Sequence, residues 1–318
     1  MRVKFGVWLK KSVGRWYIYL VLAVLWSIAS AISPYFRTAS TFSNIITSSV
    51  PIALIGLAQT FVVISQGFDL SVGAVASMAT AIASVTMDQG VLPSVLLVII
   101  AAFCVGLING LGITKLRINP FIMTLSMMFL LTGVNLLIRP SPGGYIPETF
   151  KRFLLLQLGE FPLVPLIILV LTGLVGIMVL ERRKFGRHVY AVGGDSDSAR
   201  MSGVDVDLTR IKVYVVSALA SALAGLFIAA RIGSGNAQAG ASYLFDSFTT
   251  VFMGGTLVTG GIGGYSGTLA ASLIIASIGR ILQFLGITIW YHFIVKGVLL
   301  ASVAGIQLYI VRRGREEK

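Results

Sequence analysis

Charge is scarce in this chain. Only 12% of its 318 residues are Asp, Glu, Lys or Arg, against 56% hydrophobic, and the mean hydropathy is +0.91. A soluble domain typically carries about 25% charged residues, so the composition excludes one and points to a single domain, residues 1–318, built into lipid. Cysteine is nearly absent too. Cys104 stands alone, which rules out an internal disulfide, and its apolar surroundings read as those of a small core residue. The two histidines, His188 and His292, are far apart, and no Cys/His spacing suits a metal. Gly-x-Ser-x-Gly, Gly-x-Gly-x-x-Gly and Gly-x-x-x-x-Gly-Lys-Ser/Thr are all missing. The chain therefore has no loop of that kind to cradle nucleotide phosphates, and nothing favours an enzyme. No cleavable leader is expected, because the first apolar run ends in Ser-Pro-Tyr rather than at a small-residue cleavage site.

The net charge is nevertheless +13, and its distribution decides what that means. Arg2, Lys4, Lys10, Lys11 and Arg15 precede the first apolar run. Lys115 and Arg117 share one short loop, seven basic residues lie between Arg182 and Lys212, and Arg312, Arg313, Arg315 and Lys318 end the chain. These eighteen of the 25 Lys and Arg alternate with loops holding only Arg37, Arg139, Lys151 and Arg152. Nucleic-acid binding needs a basic face, whereas this alternation is the positive-inside pattern, with both termini in the cytoplasm.

A helix needs about 20 apolar residues to cross a bilayer. Runs at 16–33, 49–65, 70–87, 91–113, 119–138, 161–180, 211–230, 267–286 and 289–311 qualify. The shorter, glycine-interrupted 244–259 makes ten and returns both ends to one side. Segments 49–65 and 244–259 are each candidates for broken or re-entrant structure. Pro51, Pro93, Pro120, Pro162 and Pro165 fall at span openings, where a missing N–H costs nothing, and Asn119 can cap the helix that Pro120 begins. Gly106 and Gly110 form a Gly-xxx-Gly pair that admits a neighbouring helix. The polar stretch 139–160 reads as an exposed loop.

Two segments stand out. Gln66-Gly67-Phe68-Asp69-Leu70-Ser71-Val72-Gly73 sets a carboxylate and a glycine break between two spans, where charge is costly. Segment 181–210 is the longest basic loop. Within it Asp195 or Ser196 can cap a short helix and Gly203 can stop it, with Ala199 and Met201 between. It is either a solvated surface helix or one that docks into a partner.

At these residues the chain resembles the permease subunits of ribose-type sugar ABC importers, in the branched-chain amino acid and sugar permease superfamily. Gly67-Phe-Asp-Leu-Ser-Val-Gly73 is similar to that family's Gly-Ile-Asp-Leu-Ser-Val-Gly. Ala191-Val-Gly-Gly-Asp195 and Ala199-Arg-Met-Ser-Gly203 resemble its Ala-Val-Gly-Gly-Asn and Ala-Arg-Leu-Ser-Gly, and Ala224-Gly225, Gly254-Gly255-Thr256, Gly260-Gly261-Ile-Gly263 and Gly267-Thr268-Leu269 follow its C-terminal pattern. The resemblance implies an all-α polytopic bundle of the type II importer kind, in a bacterial inner membrane. It implies that 195–203 is the coupling helix, with Gly194, Asp195, Ser196, Ala199, Arg200, Met201 and Gly203 meeting a separate ATP-binding subunit that carries ATP and magnesium. A periplasmic or lipid-anchored solute-binding protein and a second permease copy or paralogue would complete the machine. The chain departs from the pattern at Leu244, where many members have Glu, and at Arg280 and Gln283, late in the ninth span.

The remaining polar residues are read from chemistry. Asp69 either caps the next helix, which would begin at Leu70, or lines a solute path with Gln66. Asn109, Thr124, Ser126 and Asn135 could face a conduit or pack helices together. Arg280 either lines that path or pairs with Asp246, and Lys296 is read as snorkelling beside Trp290 and Tyr291. Amides and hydroxyls with few charges suggest a neutral sugar or sugar-like solute. The competing reading is a self-sufficient secondary transporter, which would couple ions through membrane carboxylates.

Overall fold

The computed structural model describes residues 2–316; Lys318 lies outside them. Among the described residues there are thirteen α-helices and no strand, only two isolated bridges between loops. Six helices are long and apolar enough to cross a membrane: α2 (Ala39–Ile64), α4 (Val91–Thr114), α5 (Pro120–Ile138), α7 (Leu163–Arg182), α10 (Val206–Ile232) and α12 (Tyr265–Phe284). Around them run α1 (Arg2–Ile32), α3 (Val72–Thr86), α11 (Tyr243–Met253) and α13 (Ile289–Glu316), with α6 (Glu148–Leu154), α8 (Lys184–Gly194) and α9 (Ser196–Met201) in the connections.

In lipid the exposed surface is as apolar as the core, so hydropathy does not say which helix is central; small residues do. α2 and α10 fill the middle, 83% and 78% buried along their most apolar stretch, while α4 and α5 are 28% and 22% buried and present Leu and Phe outward. Gly106 and Gly110 of α4 let it close on α10. A Cβ at Gly106 would come 2.6 Å from the Val215 Cα, and one at Gly110 2.8 Å from the Ile211 Cα. Gly225 of α10 does the same against α3, where a Cβ would meet the Ala76 carbonyl at 2.2 Å.

Hydrogen bonds fix the directions. Tyr19 donates to the Ser266 carbonyl at 3.1 Å and Trp26 Nε1 to Ser277 Oγ at 2.8 Å, so α1 runs parallel to α12. Lys296 meets Asp246 and Gln307 meets Phe252, so α13 runs parallel to α11. One end of the bundle thus gathers the start of α1, the end of α13, the break at 65–71, the Lys115–Asn119 turn, α8, α9 and the glycine turn 254–264. The other gathers 33–38, 87–90, 139–160, 233–242 and 285–288, where Gly143 and Gly235 exchange backbone hydrogen bonds.

Several boundaries move. α2 begins at Ala39, ten residues before the expected 49, and Pro51 lies inside it: a proline removes one hydrogen bond, and packing on every side keeps the helix continuous. Segment 244–259 is broken as anticipated, by the turn after Met253. The helix after Asp69 starts at Val72 rather than Leu70. The 139–160 loop holds α6, and α8 was not foreseen. Cys104 is exposed on the outer face of α4, not in the core, because the lipid-facing side of a span is equally apolar. Pro120 opens α5 behind Asn119, whose side chain accepts from Phe121 N, as read from the sequence.

Candidate functional site

The break 65–71 is a polar knot. Asp69 is 1% exposed. Its Oδ1 accepts from the Ser71 N–H and hydroxyl, and its Oδ2 from Ser217 Oγ of α10 at 2.7 Å. Asn109 of α4 donates to Ser71 Oγ at 3.1 Å. Thr124 of α5 and Tyr214 of α10 donate to the Phe68 carbonyl, at 3.1 and 3.3 Å. Asn135 of α5 donates to the Ala74 carbonyl at 3.0 Å. Four of the polar residues singled out in the sequence, Asp69, Asn109, Thr124 and Asn135, are therefore spent on joining the start of α3 to α4, α5 and α10. Ser71 is the N-cap of α3, and Asp69 accepts from its N–H in the turn before the helix rather than from an N–H of the helix itself, so the expected helix cap is not what its carboxylate does. Ser126 is exposed on the outer side of α5, apart from the other four.

Gln66 sits at the basic end with φ +62, and Arg117 nearby has φ +55. They are the only non-glycine residues with positive φ among those described, and they line one cavity of about 570 Å³ with Asn119, Asp197, Arg200 and Tyr214. A non-glycine residue held there stores backbone strain.

Beside this cavity stands α9. Asp195 is its N-cap, accepting from Ser198 N at 2.6 Å, and that N–H holds the Asp195 carboxyl below the usual carboxylate range. Gly203 ends it at φ +83. Ala199 points inward and packs with Val192 and Val206. It is not a docking contact, because the face of α9 that carries it is the one laid on α8 and α10. Met201, 83% exposed, and Asp197 form the outward face. Arg200 pairs with Asp207 at 3.2 Å and Asp207 with Lys115 at 3.3 Å, which braces α9 to α10 and α4. Gly194, the last residue of α8, has open space where a side chain would go. Gly193 does not: a Cβ there would lie 1.6 Å from the Ile64 carbonyl, which also accepts from Gly261 N at 2.9 Å. The helix before α9, the end of α2 and the turn after α11 thus form one joint, and Gly193 is a site residue that the sequence reading passed over within its Ala191–Asp195 motif.

At the opposite end Asp246 pairs with Lys296 Nζ at 2.8 Å. Arg280 does not take that carboxylate, as one alternative had it. It donates from Nη1 to Gln283 Oε1 at 3.1 Å and lies 4.6 Å over the Phe284 ring. Nor does Lys296 snorkel beside Trp290 and Tyr291; a buried carboxylate is the stronger attractor in apolar surroundings. Asp246 and Lys296 are 50 residues apart on different helices, so no local spacing announces them. Among the described residues no cluster of His, Cys, Asp and Glu could hold a metal.

Comparison with known proteins gives the family. Residues 41–304 match the family described as the permease component of a branched-chain amino acid transport system. The chain is 34% identical over 290 residues to the ribose import permease protein RbsC of Bacillus subtilis, covering 89% of each, and 32% identical to that of Escherichia coli K12, covering 88% and 89%. It is 30% identical to the galactose/methyl galactoside import permease protein MglC of Escherichia coli K12, covering 89% and 90%. No solved structure matches. This multi-pass membrane chain belongs to the family of branched-chain amino acid transport system permease components.

Proposed function

We propose that the protein is the membrane permease subunit of an ATP-driven importer and translocates a sugar or sugar-like polar solute. The observation that carries the reading is α9: a capped two-turn helix braced by ion pairs to α4 and α10, backed by α8, and presenting Met201 outward. The similar proteins named for import of ribose and galactose supply the solute class. A rigid lever of this kind transmits force from a partner that closes and opens, and the strained Gln66 and Arg117 beside it give the joint a second state to relax into. The partner is an ATP-binding subunit holding ATP and magnesium, since no phosphate loop occurs in this chain. The basic end of the bundle faces the cytoplasm, with both termini, and the other end receives solute from an extracytoplasmic binding protein in the bacterial inner membrane. A second permease copy or paralogue completes the pathway. Asp69 finds only serines around its carboxylate, which does not favour a self-sufficient, ion-coupled transporter. The test is affinity purification of the tagged chain in mild detergent: an ATPase in near-equal amount is expected, and its absence sinks the reading.

A further inference from the structure

At the end opposite α9, a cavity of about 180 Å³ opens between α2, α11, α12 and α13. Its walls hold groups suited to a polyol: Asn44 and Ser48 on α2, Gln283 on α12. Its charge is unbalanced. Arg231 from the last turn of α10, Arg280 of α12 and Lys296 of α13 face a single carboxylate, Asp246. Lys296 neutralises Asp246 at 2.8 Å. Arg231 is left with Ser48 Oγ, at 2.8 Å, and the Tyr243 hydroxyl, and Arg280 with Gln283. Neither guanidinium has a carboxylate partner among the described residues. Three buried polar atoms of the lining have no partner at all: Asp246 Oδ1, Arg280 Nε and His292 Nε2.

A half-buried cation without counter-charge, as Arg280 is, is costly in a membrane protein, and a guanidinium fork is shaped to receive an oxyanion. A neutral sugar would satisfy the amides and leave Arg280 uncompensated. An inorganic anion without hydroxyls would satisfy Arg280 and leave Asp246 Oδ1 without a donor, and a phosphate offers at most its own one or two hydroxyls where a sugar offers several. We infer that this cavity receives the cargo and that the cargo is a monosaccharide bearing one acidic group, a carboxylate or a phosphate, set against Arg280 with its hydroxyls on Asp246, Asn44 and Gln283. The more exposed Arg231, at the rim, steers the anion inward. The inference rests on the reading of the chain as a sugar permease. It replaces the neutral cargo expected from the sequence, where charges were counted along spans and their convergence from α10, α12 and α13 was invisible.

The experiment is calorimetric titration of the permease in phosphatidylcholine nanodiscs with D-galacturonate, D-galactose, ribose 5-phosphate, ribose and inorganic phosphate. At least one acidic sugar should bind about ten-fold tighter than its neutral counterpart, as expected for one charge-assisted contact. Whether galacturonate or ribose 5-phosphate leads identifies the acid. Arg280→Gln should abolish the preference and Arg280→Lys should keep part of it. Equal binding of acidic and neutral sugars overturns the inference. So does inorganic phosphate binding as tightly as the sugars, or Arg280→Gln weakening both classes alike, which would mark a docking contact for the binding protein. If Arg280→Gln fails to insert, salt decides: the wild-type preference must shrink as ionic strength rises, and constancy refutes it. An ATPase that co-purifies in the same preparation, with no acidic preference, removes the cargo's charge and leaves the permease reading standing.

Discussion

At Asp69 and Asp246 two buried carboxylates have different jobs, and substitution separates them. Asp69 accepts from neutral donors only. Asn keeps an acceptor for the Ser71 N–H, and Ser217 can turn its hydroxyl to accept from the amide, so Asp69→Asn should fold and transport nearly as wild type. Asp69→Ala strands three donors and should cost about 1–3 kcal/mol, read as a lower melting temperature in detergent. A well-folded but inactive Asp69→Asn would move the residue into the solute path. Asp246 is held by a cation. Lys296→Met leaves its carboxylate buried and unpaired, a loss of about 3–5 kcal/mol, whereas the double change Asp246→Leu with Lys296→Met should recover most of that. A double variant no more stable than the single, by thermal unfolding, would show that the pair does not couple.

Among the elements, α9 and its supports carry the sharpest expectations. Met201 is exposed and touches little of its own chain, so Met201→Glu should leave insertion and melting unchanged and reduce recovery of the ATPase in pull-downs. Ala199→Glu should instead loosen α9 from α8 and α10, lowering both stability and transport, since Ala199 is buried against Val192 and Val206. Equal ATPase recovery with Met201→Glu and wild type would mean that the outward face of α9 is not the docking face. The helix itself was legible because its signals are local: Asp195 at the cap and Gly203 at the stop lie within nine residues. Its orientation was not, because which side of a short helix is covered depends on α8 and α10. The same contrast holds elsewhere. Gly106 and Gly110 announced a close contact by their four-residue spacing. The Asp246–Lys296 pair, the true start of α2 and the outward Cys104 follow from tertiary packing, and in lipid an apolar pattern reads alike for a helix inside the bundle and one outside it.

For the whole molecule, the arrangement of charge and the path of the chain make one claim together. Hydrogen bonds and ion pairs place the start of α1, the end of α13, α9 and the Lys115–Arg117 turn at one end, and the basic residues concentrate there. Cations resist transfer across the membrane, so that end should be cytoplasmic. α3 is about 22 Å long and α11 about 16 Å, short of a hydrocarbon core of about 30 Å. The chain completes those two passages with the polar knot before α3, where irregular backbone is enclosed by protein, and with the glycine turn after α11, tied to the end of α2 by the Gly261 N–H on the Ile64 carbonyl. Counting both as passages gives an even number and returns the C-terminus to the side of the N-terminus; discarding either would split them. Single-cysteine labelling separates these outcomes. Cys104 faces outward on α4 and must first be replaced by Ser. In that background Asp197→Cys should resist an impermeant maleimide applied to intact cells and react in inverted vesicles. Leu156→Cys and Leu285→Cys, from the opposite end, should do the reverse. Labelling of all three from one side would mean that the two ends of the bundle do not face opposite compartments. Labelling of position 197 from outside, with 156 and 285 protected, would turn the whole bundle over and place α9 where no ATP-driven partner could reach it.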